Sequence, residues 1–334
     1  MKDKLLAEVL TFLRQHRGHA SAAPILLGFS GGPDSLALLH VLLAVGKLQS
    51  FDTLHPFRFA LAHVDHGWRP ESGAEAVKIQ EMAVALGLTV HLKTLSLSPG
   101  EIQGNPESIC REARLNFFAG LCRDFGYQAV MLAHHADDLA ETVLKRVLEG
   151  ASLCNLSGIK PVNKLYGVDV WRPLLKITKK EILRWLQERN LEGFHDSTNV
   201  DPKFLRARLR MDVLPNLSKV FGKEVCSGLC HISNESAELI DYLDANIAPY
   251  LARVTSDSAG MSLDLSECRP TASAELKHLI RRFCECGELN LSRESLNLAA
   301  NFVSTGAARK SLGDGSLQVD RYRLQVAFAK IRNI

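Results

Sequence analysis

The stretch Ile25-Leu-Leu-Gly-Phe-Ser-Gly-Gly-Pro-Asp-Ser-Leu-Ala-Leu-Leu39 decides the fold. An apolar run closes at Phe29, Ser30-Gly31-Gly32-Pro33 turns the chain, and a helical pattern opens at about Asp34. Three more apolar runs without period-2 alternation, Phe57–Val64, Thr89–Thr94 and Gln128–Ala133, read with Pro24–Phe29 as strands buried on both faces. Helical spacing separates them at Asp34–Val45, Glu71–Leu86 and Pro106–Phe125, and Asp137–Leu148 follows the last. This alternation predicts an α/β fold with a doubly wound parallel sheet, with ligands outside the carboxyl ends of its strands.

In the turn after Phe29, two glycines permit left-handed dihedrals and close backbone approach. Backbone N–H groups there, with the following helix N-terminus, suit an anion. Ser30 and Ser35 add hydroxyls, and Asp34 is placed to hold a magnesium ion that bridges phosphate oxygens. The loop lacks the Gly-Lys-Ser/Thr of a Walker A motif and is not the Gly-x-Gly-x-x-Gly of dinucleotide folds. A pyrophosphate cradle without that lysine fits enzymes that split ATP between its α- and β-phosphates. The competing reading is a ligand-free βα turn.

The 334 residues, 46% hydrophobic and 23% charged, exclude disordered and fibrous classes, and at roughly 100–200 residues per domain suggest two domains. We place the boundary near Pro215–Asn216, giving domains 1–216 and 217–334. The longest uncharged apolar stretch, Leu36–Val45, falls short of the ~20 residues of a membrane span. Met1–Arg17 reads as an amphipathic helix rather than an export signal, so the cytoplasm is the expected location. The net charge of +3 says little, but Lys203, Arg206, Arg208, Arg210, Lys219 and Lys223 face one acid, Asp212. That run is a solvated face or a contact for a polyanion. A second basic group, which includes Arg309, Lys310, Arg321 and Arg323, lies near the C-terminus.

Two further segments carry chemistry. His63-Val-Asp-His-Gly-Trp-Arg69 closes the second strand, where this fold faces the adenine and ribose of a nucleotide bound at the first. His63 and His66 are candidates for that contact, with a metal pair or plain loop residues as rivals. Ala133-His-His-Ala-Asp-Asp-Leu-Ala-Glu-Thr142 crosses from strand end to helix, and Asp138 and Glu141, at i and i+3, share one helix face. Read alone, such acids can also be simple dipole-compensating residues.

Ser30–Ser35 resembles the Ser-Gly-Gly-x-Asp-Ser loop of the ATP pyrophosphatases, or PP-loop proteins, with an adenine nucleotide alpha hydrolase-like fold. The segment from His63 resembles the His-Val-Asp-His-Gly-Leu-Arg of the tRNA(Ile)-lysidine synthases, with Trp68 where Leu is usual. Cys110-Arg-Glu-Ala-Arg114, Arg172-Pro-Leu-Leu175, Asp196-Ser-Thr-Asn199 and Arg206-Ala-Arg-Leu-Arg210 extend the resemblance, which covers residues 24 to about 216. The loop from Glu149 has Glu where the family has Arg.

The resemblance implies ATP and Mg2+ as cofactors, and free L-lysine and an isoleucine tRNA with CAU anticodon as substrates. It also makes a homodimer an expectation. It assigns Ser30, Gly31, Gly32, Pro33, Asp34, Ser35, His63 and His66 to ATP. Arg114, Asp138 and Glu141 fall to the lysine, with Asp34, Asp138 and Glu141 catalytic, and Lys203, Arg206, Arg208 and Arg210 are the tRNA contacts; the three arginines, at i, i+2 and i+4, do not share one helical stripe, so some can point into the active site and others at an RNA backbone. It further implies that the second, mostly helical α+β domain, with helices at His231–Val254, Ala272–Cys286 and Arg293–Val303 and a final strand pair, binds tRNA. The alternatives are a tRNA cytidine thiolase, a small-molecule amidotransferase and a tRNA-binding protein with an inactive loop. The eight cysteines contain no Cys-x-x-Cys, which disfavours sulfur transfer.

Overall fold

The structure is a computed structural model that describes residues 3–17, 23–48, 57–65, 67, 72–95, 106–194, 205–307, 309–312 and 316–327. His66, Trp68, Arg69, the Asp196–Asn199 motif, Lys203 and the expected turn at Asp314-Gly315 lie outside them. The chain divides into two compact units, Met1–Asn234 and Glu235–Ile334.

The first unit is built on a six-stranded sheet, in order β3-β2-β1-β4-β6-β5. Its strands are β1 Ile25–Gly28, β2 Phe59–Asp65, β3 Val90–Thr94, β4 Ala129–Met131, β5 Val162–Leu165 and β6 Val168–Trp171. All neighbours pair in parallel except β5 with β6. Successive residues of β1 feed opposite cores. Ile25 and Leu27 pack with α1 (Lys4–His16), α2 (Pro33–Lys47) and α6 (Lys179–Gln187), while Leu26 packs against α4 (Pro106–Phe125). Burial on both faces is why these strands read as unbroken apolar runs. The β5–β6 hairpin was not foreseen. It is short, β5 is a half-exposed edge strand, and its turn uses Tyr166 and Gly167, both at positive φ.

Helix α6 begins with a capping box: Thr178 Oγ1 accepts from Glu181 N at 3.3 Å and the Glu181 carboxylate accepts from Thr178 N at 2.8 Å. α3 spans Ser72–Ala85 and α5 spans Ala136–Leu148, while α7 (Leu205–Arg208), a π-helical turn (Leu209–Val213) and α8 (Leu214–Phe221) form one continuous stretch. Pro215 therefore stands within this stretch, directly after the π-helical turn, and does not break the chain. The division falls instead inside α9 (Cys226–Leu251), later than the expected Pro215–Asn216. The reason is packing: Leu229 lies against Leu139, Val143 and Leu175, and Ser233 Oγ donates to Ser157 O at 2.7 Å.

The second unit carries more strand than the expected final pair. Its antiparallel sheet is ordered β7-β8-β11-β10-β9: Thr255–Ser256, Gly260–Asp264, Arg323–Ala327, Leu317–Asp320 and Lys310–Leu312. Leu263, Leu317, Val319, Leu324 and Val326 pack one face against α10 (Ser273–Cys286) and α11 (Arg293–Thr305). Among the described residues no helix is long and apolar enough to cross a membrane.

Candidate active site

The strand order reverses between β1 and β4, the position where open α/β sheets bind ligands. Both motif loops leave the carboxyl ends of those two strands. After β1, Gly31 takes φ +80°, and Gly32 caps α2 without a side-chain bond, with Pro33 following in the first turn. The α2 N-terminus is thus left for an anion. The serines brace the loop: Ser35 Oγ donates to Gly32 O at 3.0 Å and lies 3.1 Å from Ser30 Oγ, which accepts from Gly32 N at 3.3 Å. Over the loop lies Phe194, whose N–H donates to Gly31 O at 2.9 Å. A Cβ on Gly31 would meet the Phe194 ring, and one on Gly193 would come within 2.7 Å of Pro33 N.

After β4, His135 caps α5 and its N–H donates to Asp138 Oδ2 at 2.9 Å. The buried His135 ring stands among three carboxylates, with Asp137 and Asp138 at 3.5 Å and Asp34 at 3.7 Å. Burial works against its charged form, but these carboxylates outweigh burial and raise its pKa. Asp34 in turn pairs with Lys179 Nζ at 2.5 Å, and Asp137 accepts from Lys179 N at 2.8 Å. The cradle therefore has a lysine after all, supplied by the N-terminus of α6. Nothing in the local sequence pointed to it beyond the capping box that fixes that end.

Asp138 and Glu141 come together as the i, i+3 spacing requires, and they share a cation. Arg210 Nε donates to Glu141 Oε1 at 2.6 Å and Nη2 to Asp138 Oδ1 at 2.9 Å, while Arg206 Nε lies 3.8 Å from Glu141 Oε2. Glu141 is 1% exposed and its Oε2 has no hydrogen-bond donor among the described residues. Burial pushes its pKa up despite Arg210. Asp138 is held below the carboxylate range: burial opposes this, but the charge of His135, the His135 N–H and the Arg210 guanidinium prevail. Arg206 and Arg210, expected at an RNA backbone, thus face the acids of the site, whereas Arg208 is exposed.

His134 accepts from Arg172 Nε at 3.2 Å through Nδ1, and Arg172 Nη1 reaches Lys160 O and Asn163 Oδ1. Burial, with Asp138 opposing and Arg172, Arg114 and Arg206 assisting, drives the His134 imidazole down to about 3. Arg114 is therefore within electrostatic reach of His134. A folded pKa below the unfolded 6.5 means that neutral His134 stabilises the fold above pH 6.5, and this stability is lost as the pH falls towards 3. Asp137 and Asp138, also depressed, lose stability on the acid side as well. We expect His134→Asn to flatten the melting-temperature profile on the acid side of neutrality. An unchanged slope in a melting series would remove His134 from that account.

His63 is buried, and its Nδ1 donates to Phe29 O at 2.9 Å. Glu149 pairs with Lys145 at 3.6 Å and is exposed, while Arg146, one turn earlier, bonds Asn155 O and Gly158 O and so braces the loop. No group of three or more His, Cys, Asp or Glu is placed to hold a metal among the described residues. A single carboxylate beside a phosphate cradle nevertheless fits magnesium, which is held largely through phosphates and water.

The PP-loop domain family matches residues 1–217. The tRNA(Ile)-lysidine synthase of Protochlamydia amoebophila (strain UWE25) is 35% identical over 322 residues, which are 96% of this chain and 68% of that protein. The chain belongs to the tRNA(Ile)-lysidine synthase family of PP-loop proteins. The relative of the same name from Chlamydia muridarum is 37% identical over 242 residues, 72% of each chain. Among solved structures, the U34-tRNA thiolase NcsA from Methanococcus maripaludis, with its 4Fe-4S cluster, superposes at a TM-score of 0.53 and 19% identity. That match covers 70% of this chain and 78% of the thiolase and is a likeness of fold. The family match gives the chain an ATP-binding PP-loop domain over residues 1–217.

Proposed function

We propose that this protein ligates free L-lysine to C2 of the wobble cytidine of the CAU-anticodon isoleucine tRNA, forming lysidine, AMP and pyrophosphate. The tRNA then reads AUA as isoleucine. The observation that carries this reading is an acid pair, the buried Glu141 and the half-buried Asp138, set beside an ATP cradle that contains Asp34. An acid pair of this kind suits an ammonium, and the cradle suits a leaving pyrophosphate.

In the first step the C2 carbonyl oxygen of cytosine attacks the α-phosphate and pyrophosphate leaves. The α2 N-terminus, Ser30, Ser35 and Lys179 stabilise the leaving charge, and His63 borders the nucleoside. Asp34 would hold magnesium against the phosphates, where it supplies further charge neutralisation. In the second step the lysine ε-amine attacks C2 and AMP leaves. Asp138 orients the ammonium. Glu141, whose pKa burial raises, is the better proton acceptor, and an amine is nucleophilic only once it is neutral. Arg114 would take the substrate carboxylate or a phosphate.

The tRNA backbone falls to Arg208, Lys203 and Lys219 and to the basic residues of the C-terminal unit, and a tRNA substrate sets the reaction in the cytoplasm. A thiolase would need reactive thiolates. Here burial pushes Cys122 and Cys230 up to about 11 and Cys226 and Cys284 up to about 12.

The test is tRNA-dependent release of pyrophosphate from ATP with transcripts that differ only at the wobble base. Release with cytidine and none with uridine supports the reading, and equal release with both would defeat it. Arg208→Glu with Lys219→Glu should weaken tRNA binding about tenfold at low salt and flatten its salt dependence. Binding unchanged in a filter assay would return this run to a solvated surface.

A further inference from the structure

Arg172 opens the Arg172-Pro-Leu-Leu175 motif, and nothing in the two proposed steps gives it a task. It follows β6 directly, is 3% exposed, and has three acceptors around its guanidinium. Nη1 donates to Lys160 O at 2.9 Å and to Asn163 Oδ1 at 2.5 Å, and Nε donates to His134 Nδ1 at 3.2 Å. Asn163 lies on β5, so the hairpin that departs from the parallel pattern of the sheet is what anchors the guanidinium. None of the three acceptors is a carboxylate. A buried cation matched only by neutral acceptors is a costly way to hold a fold together.

The bond from Nε decides which nitrogen of the His134 ring carries the proton. A guanidinium can only donate, so Nδ1 must be bare, and the proton of the neutral imidazole is confined to Nε2. Arg172 keeps its charge at neutral pH: burial, with Arg111 assisting, lowers it only to about 10. Burial, with the neighbouring arginines, also keeps the His134 ring neutral well below pH 7. The ring is half-buried, and its Nε2 has no hydrogen-bond partner among the described residues. His134 leaves the carboxyl end of β4 next to His135, whose ring lies 3.7 Å from Asp34 of the cradle. On its other side it feels the charge of Asp138. It thus stands between the cradle and the acids, the gap that a link from C2 to the α-phosphate has to cross.

From these observations we infer that His134 is a neutral hydrogen-bond donor, through Nε2–H, to the phosphate oxygen that departs with AMP, and that Arg172 is the positioning residue that fixes this tautomer. The inference rests on the function proposed above. When the lysine amine attacks, its lone pair forms the C2–N bond, the C2–O bond breaks, and the electron pair of that bond stays on the phosphate oxygen. The amine proton passes to Glu141, and His134 keeps its own. A donor already aimed where charge develops needs no reorganisation during the reaction. A histidine serving as base would need Nε2 bare, which is the tautomer that Arg172 excludes.

The test pairs two substitutions that cannot titrate and that each keep one half of the ring's chemistry. In His134→Asn the amide oxygen stands in for Nδ1 and still accepts from Arg172, but no donor reaches the place of Nε2. In His134→Gln the amide nitrogen stands in for Nε2. Lysine transfer to CAU isoleucine tRNA at saturating substrates should fall about a hundredfold or more in His134→Asn and less than about tenfold in His134→Gln. Equal losses in the two folded variants would overturn the donor, as would full activity of His134→Asn. In the full-length wild type at pH 7, the 15N shifts of the His134 ring should show a bare Nδ1 and a protonated Nε2. Arg172→Met should leave the two tautomers mixed. A protonated Nδ1 in wild type, or one unmixed tautomer in a folded Arg172→Met, would overturn the part given to Arg172. If the variants do not fold by circular dichroism, the wild-type shifts decide. A wild type that transfers lysine while the variants contradict the expected order defeats the donor alone. A wild type that transfers none defeats the proposed function and the donor with it.

Discussion

Asp34→Ala is expected to lower ATP-dependent turnover by about a thousandfold or more while leaving tRNA affinity within several-fold. Asp34 stands in the first turn of α2 and pairs with Lys179 at 2.5 Å, with His135 at 3.7 Å. Its removal takes away the carboxylate that fits magnesium and frees Lys179 from the geometry that holds it over the cradle. The side chain is partly exposed and belongs to no hydrophobic cluster, so the fold should survive. Pyrophosphate release measured beside circular dichroism and tRNA binding checks this. Near-normal release from a folded variant would mean that phosphate chemistry is organised elsewhere.

The second large effect is expected at Glu141. Glu141→Gln keeps the shape but removes the charge, and should raise the KM for lysine about a hundredfold and also lower kcat, because the amide cannot take the ammonium proton. At an effective dielectric of about 20, one unit charge 4 Å from an ammonium is worth roughly 4 kcal/mol before desolvation, enough for such an effect. Glu141→Ala is the poorer experiment. It would strand Arg210 beside a cavity and so mix a loss of stability with any loss of lysine binding. Because burial raises the pKa of Glu141, the KM for lysine should climb with falling pH earlier than an ordinary carboxylate would allow. A KM unmoved by Glu141→Gln would remove the residue from lysine binding.

What the sequence reveals and conceals here follows from how local each signal is. The β1–loop–α2 unit was legible because strand burial, the paired glycines and the helix start all lie within Ile25–Leu39. Helix α4 was legible to its ends, bounded as expected at Pro106 and Phe125. The spacing of Asp138 and Glu141 put them on one face, and they meet there. Their partners were not legible. Arg210 is 69 and 72 residues from the acids it binds, and Lys179 is 145 from Asp34. Only the tertiary fold joins them. A basic run in sequence does not say which arginines turn inward, and a π turn leaves no residue pattern that separates Arg208 from Arg210. The β5–β6 hairpin and the two-residue β7 were too short to carry a period.

The central claim is that this chain joins lysine to a tRNA base through an adenylated intermediate. The most direct measurement incubates it with ATP, magnesium, bulk bacterial tRNA and labelled lysine, then strips ester-linked amino acids with mild alkali. The account predicts alkali-resistant label in tRNA that requires ATP and disappears with Asp34→Ala. Pyrophosphate release on adding tRNA, with no label retained, would contradict lysine as the nucleophile. Neither label nor release would contradict the reaction itself.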